Sequence, residues 1–332
     1  MKALYRSMSA ALAVGLLSGA WAAEQELDWP TLASIELPQS SGKFDFLRVD
    51  PNRNRLLAAH VEDGTSDFID LKKHSVIARV KVGSAVDTAM DADSKFYYVS
   101  VQGSERVAVL DAATLKEVNS IKMAGPTDAI LYEPRNHRVY VTHDDGTDLW
   151  VIDPQTAKVV SSVAIPGAPE AMVYDPSADR IYLNIKTKDV VAVIDPSADK
   201  VIAQWATAPA MRPHGLALDA AGHRIFSAGA NGKLVAIDTT SGTARGSVDI
   251  APKVDQIALD TGSGLLYCAG IDRMSVVRVS GSTLSRLGEL ATAPAARNVA
   301  VDPATRAVWT TYSDGKNSFA KGWSVPLRLP QP

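Results

Sequence analysis

The chain is built from short apolar runs, rich in Val, Ile and Tyr, that alternate with polar turn segments. Such alternation is typical of β-strands joined by tight turns. One representative stretch contains four runs in succession, over residues 129–132, 138–142, 149–152 and 159–165. The pattern therefore predicts an all-β protein.

The four-strand pattern recurs at a regular spacing. An acidic residue ends the first run of each unit, every 41 to 44 residues, at Asp50, Asp91, Glu133, Asp175, Asp219, Asp260 and Asp302. A large residue follows seven positions later, at Leu57, Tyr98, Tyr140, Tyr182, Phe226, Tyr267 and Trp309. Four strands in about 42 residues form the blade of a β-propeller. The seven units therefore predict a seven-bladed β-propeller of four-stranded antiparallel blades.

The last unit contains only three strand-like runs before the chain ends, over residues 298–301, 307–311 and 322–325. An additional apolar segment, Leu32 to Leu37, precedes the first complete unit. A strand from one terminus that completes the blade of the other removes the open sheet edge and closes the ring. We therefore predict that this N-terminal strand completes the last blade.

The first 22 residues have the pattern of a secretory signal peptide. Lys2 and Arg6 form a basic region, residues 9–20 form an apolar stretch too short to span a bilayer, and Ala20-Trp21-Ala22 offers a cleavage site. Cleavage there predicts a mature chain that begins at Ala23. Residues 23–332 are then a single propeller domain, located in the periplasm or outside the cell and not inserted in a membrane.

Charge and cysteine content narrow the possible partners and cofactors. Without Lys2 and Arg6 the chain carries 32 basic and 37 acidic residues, a net charge of −5, which disfavours nucleic acid as a partner. The single cysteine, Cys268, cannot form an intramolecular disulfide and lies in an apolar run, as a buried residue would. No Cys-x-x-Cys-His motif is present, which excludes covalently attached c-type haem.

Several strand motifs resemble those of the YVTN β-propeller repeat family, and the whole chain is similar to exported bacterial YncE-like proteins. The motifs are Tyr98-Val99-Ser100, Tyr140-Val141-Thr142-His143, Tyr182-Leu183-Asn184, Val151-Ile152-Asp153 and Val193-Ile194-Asp195. The resemblance implies a propeller fold. It implies no single activity, because the family includes proteins linked to DNA binding, and related propellers include lactonases, lyases and cofactor-bearing oxidoreductases.

The first strand of each blade lines the central channel, so its first residues lie at one mouth of that channel. The position five residues before each turn acid is occupied by Asp45, Val86, Asp128, Glu170, His214, Asp255 and Arg297, with Asp87 beside Val86. Neighbouring positions of this ring are expected about 6 Å apart, from a strand spacing of about 4.8 Å. Such a ring is either a solvated polar rim or a binding site, and its crowded like charges favour a bound cation or shared protons.

Three ring residues on successive blades, Glu170, His214 and Asp255, are candidate ligands of one divalent metal ion or one polar molecule. Arg297 carries the opposite charge and could orient an anionic group of the same ligand. His60 and His143 end the second strands of blades one and three. They are expected on the order of 19 Å apart, too far to bind one zinc ion, and are interpreted as rim residues within reach of a large ligand.

No Gly-x-Ser-x-Gly, Walker-type loop, dinucleotide fingerprint or His-Glu-x-x-His motif occurs in the chain. The leading hypothesis is an exported, non-catalytic binding or scaffold protein that recognises a small ligand, a metal complex or an envelope protein at the channel mouth. The alternative is a metal-assisted lactonase or lyase that uses Glu170, His214 and Asp255. Single-stranded DNA binding, by analogy with the family, is a third hypothesis that the charge disfavours.

Overall fold

A computed structural model describes residues 25–329 of the chain. The predicted signal peptide, residues 1–22, and the predicted cleavage site lie outside this range. Within it, the chain forms seven antiparallel sheets of four strands each, in the order of a propeller. The predicted seven-bladed fold is therefore confirmed.

The first three blades follow one another along the chain. Their strands are β2 (Phe44–Asp50), β3 (Arg55–His60), β4 (Thr65–Asp70), β5 (Ser75–Lys81), β6 (Ala85–Met90), β7 (Phe96–Val101), β8 (Arg106–Asp111), β9 (Glu117–Lys122), β10 (Thr127–Glu133), β11 (Arg138–His143), β12 (Asp148–Asp153) and β13 (Lys158–Ala164). A single-turn 3-10 helix, Gln102–Ser104, connects β7 to β8.

Blades four to six repeat the same arrangement. They contain β14 (Pro169–Asp175), β15 (Arg180–Ile185), β16 (Val190–Asp195), β17 (Lys200–Ala206), β18 (Pro213–Asp219), β19 (Arg224–Gly229), β20 (Lys233–Asp238), β21 (Ala244–Asp249), β22 (Gln256–Asp260), β23 (Leu265–Ala269), β24 (Arg273–Ser280) and β25 (Thr283–Ala291).

The seventh blade joins the two ends of the chain. It consists of β26 (Ala300–Val301), β27 (Val308–Ser313), β28 (Ser318–Trp323) and, as its outermost strand, β1 (Thr31–Leu37). Strand β1 is antiparallel to β28, with Ile35 opposite Ala320 and Leu37 opposite Ser318. Ile35 and Leu37 are buried, whereas Leu32 is exposed. The N-terminal strand therefore closes the ring, as the sequence predicts.

The two periodic markers have separate structural roles. All seven large marker residues on the second strands are buried between blades, where they form the hydrophobic core. The turn acids accept backbone N–H groups, as Asp50 Oδ1 does from Asn52 at 3.0 Å and from Arg53 at 3.3 Å. Asp50 Oδ2 also accepts the hydroxyl of Tyr97 in the next blade at 2.6 Å. These acids therefore stabilise turns and blade contacts.

The burial of Cys268 agrees with the sequence. Cys268 is fully buried, and burial raises the pKa of its thiol, so the thiol stays protonated. In the portion of the chain from residue 25 to residue 329, none of the helices has the length and apolar character needed to cross a bilayer.

Candidate functional site at the channel mouth

Bulges at the start of the inner strands direct the ring residues into the channel mouth. The register between inner and second strands shifts between Phe44 and Leu47, and likewise at the start of β6, β10, β14 and β18. The residues inside these shifts include Asp45, Asp128, Glu170 and His214. A bulge leaves a residue unpaired and changes the direction of its side chain, which is common beside functional sites.

Three ring residues come close enough to share one ligand. The candidate ligand atoms of Glu170, His214 and Asp255 all lie within 4.8 Å of one another. The distance from His214 Nε2 to Glu170 Oε1 is 3.7 Å. The side chains are 14%, 19% and 26% exposed, respectively, so they are shielded but reachable. The juxtaposition expected from the repeat is present, and metal binding by the three residues stays a prediction.

Hydrogen bonds fix the orientation of His214. Its Nδ1 lies 2.7 Å from the carbonyl oxygen of Arg212. Because a carbonyl can only accept, Nδ1 carries the proton, and in the neutral ring Nε2 presents a lone pair towards Glu170. The Asn184 amide donates to the carbonyls of His214 at 2.9 Å and Gly215 at 3.0 Å, which anchors this backbone to the preceding blade. A histidine held in this way is typical of metal ligands.

Lys186 is part of the site, although it is not one of the predicted ring residues. Its Nζ lies 2.8 Å from Glu170 Oε1 and 2.7 Å from Asp145 Oδ1. Burial acts to lower the pKa of Lys186, but the two carboxylates outweigh it and raise that pKa. Lys186 directly follows the second strand of its blade, a place that the repeat already assigns to the channel mouth. Its position in the repeat was therefore the sequence feature that could have identified Lys186 as a residue of the site.

The carboxyl groups of the ring have raised pKa values. Burial, and then repulsion from Asp255, raise the pKa of Asp45 to about 7, although Lys43 lies 3.1 Å away. Burial and the charges of Glu170 and Asp45 raise the pKa of Asp128. Burial also raises the pKa of Glu170, against the opposing charges of His214 and Lys186. Without a bound cation, these carboxyl groups therefore tend to retain protons.

Ion pairs engage Arg297, the positive residue of the ring, and Asp87 beside Val86. Arg297 Nε lies 3.1 Å from Asp255 Oδ2, so it offsets the Asp255 charge directly. Asp87, next to Val86, is fully buried and forms a two-point ion pair with Arg48, at 2.9 Å and 2.7 Å. Asp87 therefore joins blades one and two below the mouth and is not a rim residue. The proposed contact of Arg297 with an anionic ligand stays a prediction.

The interpretation of His60 as a rim residue is wrong. Its side chain is 0% exposed, with Nδ1 3.1 Å from Asp67 Oδ2 and Nε2 3.0 Å from the Ser41 carbonyl oxygen. The ring also stacks on Phe44 at a centroid distance of 3.8 Å. The segment that enters blade one covers the end of β3, so His60 is a structural residue that ties this segment to the blade.

His143 remains partly accessible, with its ring stacked on Trp150 at 4.8 Å. Its Nδ1 lies 3.8 Å from Asp148 Oδ2, beyond hydrogen-bonding distance. Among residues 25–329, neither His143 nor His60 belongs to a group of three potential metal ligands. A contact between His143 and a large ligand stays a prediction.

The seven four-stranded sheets, arranged in a ring that β1 closes, and the polar channel mouth define the chain as a β-propeller protein. Its sequence matches the YNCE-like beta-propeller family over residues 44–223, and the chain belongs to that family. A comparison with curated proteins finds no match for the sequence.

Solved structures similar to this chain share its fold at low sequence identity. A chain of the mitotic checkpoint complex superimposes with a TM-score of 0.78 and 12% identity, covering 98% of this chain and 99% of its own length. A chain of hydrazine synthase from Kuenenia stuttgartiensis has a TM-score of 0.73 and 15% identity, covering 85% and 97%. The WD40 repeats of RRP9 have a TM-score of 0.76 and 10% identity, covering 90% and 99%.

Proposed function

We propose that this chain is an exported, non-catalytic binding protein that recognises a divalent metal ion, or a small metal complex, at its channel mouth. The observation that carries the proposal is the convergence of Glu170, His214 and Asp255 from three successive blades, with ligand atoms within 4.8 Å of one another. Ligands bound to one ion at about 2.0–2.2 Å lie roughly 3–4 Å apart. The site therefore needs only a small contraction to bind an ion.

The donor set also indicates which ions suit the site. Two carboxylates and one imidazole favour hard or borderline divalent ions such as Mn²⁺ and Zn²⁺ over soft ions. Three protein ligands leave coordination positions open for a second molecule, which is why a metal complex fits as well as a bare ion. Lys186 and Arg297 lie against Glu170 and Asp255, so they could orient an anionic part of that molecule.

The metal proposal predicts a loss of binding when the three ligands are replaced together. Glu170→Gln, His214→Asn and Asp255→Asn in one variant should weaken Mn²⁺ and Zn²⁺ binding at least a hundredfold by isothermal titration calorimetry, because the charge and the imidazole are removed. The variant should still fold, since all three side chains are partly exposed.

A matched control replaces the same residue types elsewhere on the surface, as Glu36→Gln, His223→Asn and Asp249→Asn. All three control positions are exposed, so the control should retain the affinity of the parent. Parent protein that binds neither ion stoichiometrically would refute the proposal, as would a triple variant with unchanged affinity.

A metal-assisted lactonase or lyase is the second candidate, and the open coordination positions together with Lys186 beside Glu170 favour it. In that reaction the metal would polarise a substrate oxygen. Turnover of lactones by the metal-loaded parent, lost in the triple variant, would establish the enzyme in place of the binding protein. The net charge of −5 continues to disfavour single-stranded DNA as the ligand.

Export is part of the same proposal and rests on the pattern of residues 1–22. Protein recovered from the cell envelope is expected to begin at Ala23 or one residue later, by intact-mass measurement. Recovery of envelope protein that still carries Met1 to Ala22 would contradict cleavage at this position.

A further inference from the structure

A second cavity, of about 390 Å³, lies between blades two and three on the face opposite the channel mouth. It lies near the turn that follows β6, and its lining includes Asp91, Phe96, Tyr98, Tyr132, His137 and Pro154. The aromatic rings belong to two different blades. The cavity is therefore separate from the metal site and independent of the function proposed for it.

Tyr98 presents an unpartnered hydroxyl to this cavity. The residue is only 4% exposed, and its hydroxyl forms no hydrogen bond with any residue between 25 and 329. A phenol hydroxyl can both donate and accept a hydrogen bond, so without a protein partner it is free to bond to water or to a ligand. The side chain therefore offers a hydrogen bond to a polar occupant of the cavity.

The next blade interface shows which partner the Tyr98 hydroxyl lacks. Tyr140 is the equivalent of Tyr98 in the repeat, and its hydroxyl donates to Asp199 Oδ1 at 3.0 Å. Residues 153–157 and 195–199 occupy equivalent turns, and Ala157 stands where the next blade has Asp199. A methyl group in place of a carboxylate leaves the Tyr98 hydroxyl without the carboxylate partner that Tyr140 has.

The charge of the cavity is negative. Asp91 Oδ1 accepts the backbone N–H groups of Lys95 at 2.6 Å and Phe96 at 3.2 Å, and within residues 25–329 the Asp91 carboxylate forms no ion pair. Burial, and then the Asp91 charge, raise the pKa values of both Tyr98 and Tyr132, so this carboxylate lies near both phenols. Among residues 25–329, neither Lys nor Arg lines the cavity.

The aromatic rings suit a positively charged group. Tyr98 and Tyr132 are parallel to within 3°, with centroids 6.2 Å apart, and Phe96 is 36% exposed at the entrance. A cation within about 6 Å of an aromatic centroid is attracted to the ring face. Carboxylate, hydroxyl and aromatic rings together match an ammonium group that carries an apolar substituent.

We propose that this cavity binds a small organic ammonium ion. Its N–H groups donate to the Asp91 carboxylate and to the Tyr98 hydroxyl oxygen, and its apolar part packs against Tyr132 and Phe96. The negative charge of Asp91 selects the ammonium over a neutral molecule of the same shape.

Phenethylammonium and the neutral phenethyl alcohol are suitable paired probes, measured by titration calorimetry and by saturation-transfer NMR. We expect the ammonium to bind at least ten times more tightly than the alcohol. Asp91→Asn, which keeps the acceptor oxygen for the turn, should weaken phenethylammonium binding at least tenfold and leave alcohol binding unchanged. Absence of phenethylammonium binding to the parent, or equal affinity for the two probes, would overturn the proposal.

A second pair of variants tests the location of the site. Ala157→Asn supplies a side chain where the next blade has Asp199, so it should hydrogen-bond to the Tyr98 hydroxyl, compete with the ammonium for it and weaken phenethylammonium binding at least tenfold. Ala157→Gly is the control, because Ala157 has a positive φ of 53° that both replacements tolerate better than alanine. The glycine variant should bind as the parent does. Retained binding by the asparagine variant would place the ammonium elsewhere and refute this cavity as the site.

Discussion

Deletion of residues 31–37 is expected to abolish cooperative folding of the propeller, with aggregation at temperatures where the parent is stable. These residues are strand β1, the outermost strand of blade seven. Its loss leaves the backbone groups of β28 unpaired and exposes a sheet edge, which favours association with other chains. It also removes the strand whose hydrogen bonds to β28 join the N-terminal part of the described chain to the last blade.

A single substitution in β1 tests the same contact without changing chain length. Leu37 is 0% exposed and packs with Leu47, Leu56 and Trp309. Leu37→Ala should lower the free energy of unfolding by about 2–5 kcal/mol, because it creates a cavity in this cluster. Leu32→Ala, on the exposed part of the same strand, should change it by no more than about 0.5 kcal/mol. Equal denaturant midpoints for the two variants would show that β1 does not close the ring.

The sequence predicts the fold well because each blade uses the same types of residue, at the same spacing, to form its turns and its core. The acid that accepts turn N–H groups and the large residue that fills the space between blades recur in every unit, so each unit supports the assignment of the others. The same periodicity predicts which residues reach the mouth. That is why Glu170, His214 and Asp255 could be grouped although they lie far apart in the chain.

The repeat cannot predict what covers a position or how far a side chain reaches. His60 and His143 are equivalent in the repeat, yet the segment containing Ser41 buries only His60. Lys186 enters the site because its long side chain reaches both Glu170 of its own blade and Asp145 of the preceding blade. Arg48 and Asp87 likewise pair across two blades. These contacts depend on loops and side-chain directions that differ between blades.

The crowded carboxyl groups of the mouth are expected to make the metal-free protein less stable as the pH rises from about 4 to 7. Asp45 has a pKa of about 7 in the folded chain, against an ordinary value of 3.8, and the pKa of Asp128 is raised as well. Between these pH values the folded chain holds protons that the unfolded chain has released. Folding therefore takes up protons, and the free energy of unfolding falls as the pH increases. Above the folded pKa values of Asp45 and Asp128, the stabilisation that comes from their protonated carboxyl groups is lost entirely.

The double variant Asp45→Asn, Asp128→Asn should weaken this dependence, because an amide keeps the shape of the protonated acid and cannot ionise. The Asp45 side chain is 20% exposed, and a pKa shift of this size corresponds to a stability difference on the order of 2–4 kcal/mol. At pH 8 the metal-free double variant should therefore melt at least about 5 °C above the parent, whereas at pH 4 the two should melt together. Asp249→Asn, at an exposed position outside the mouth, should follow the parent at both pH values. A double variant that is less stable than the parent at pH 8 would mean that the ionised carboxylates stabilise the mouth, contrary to the raised pKa values.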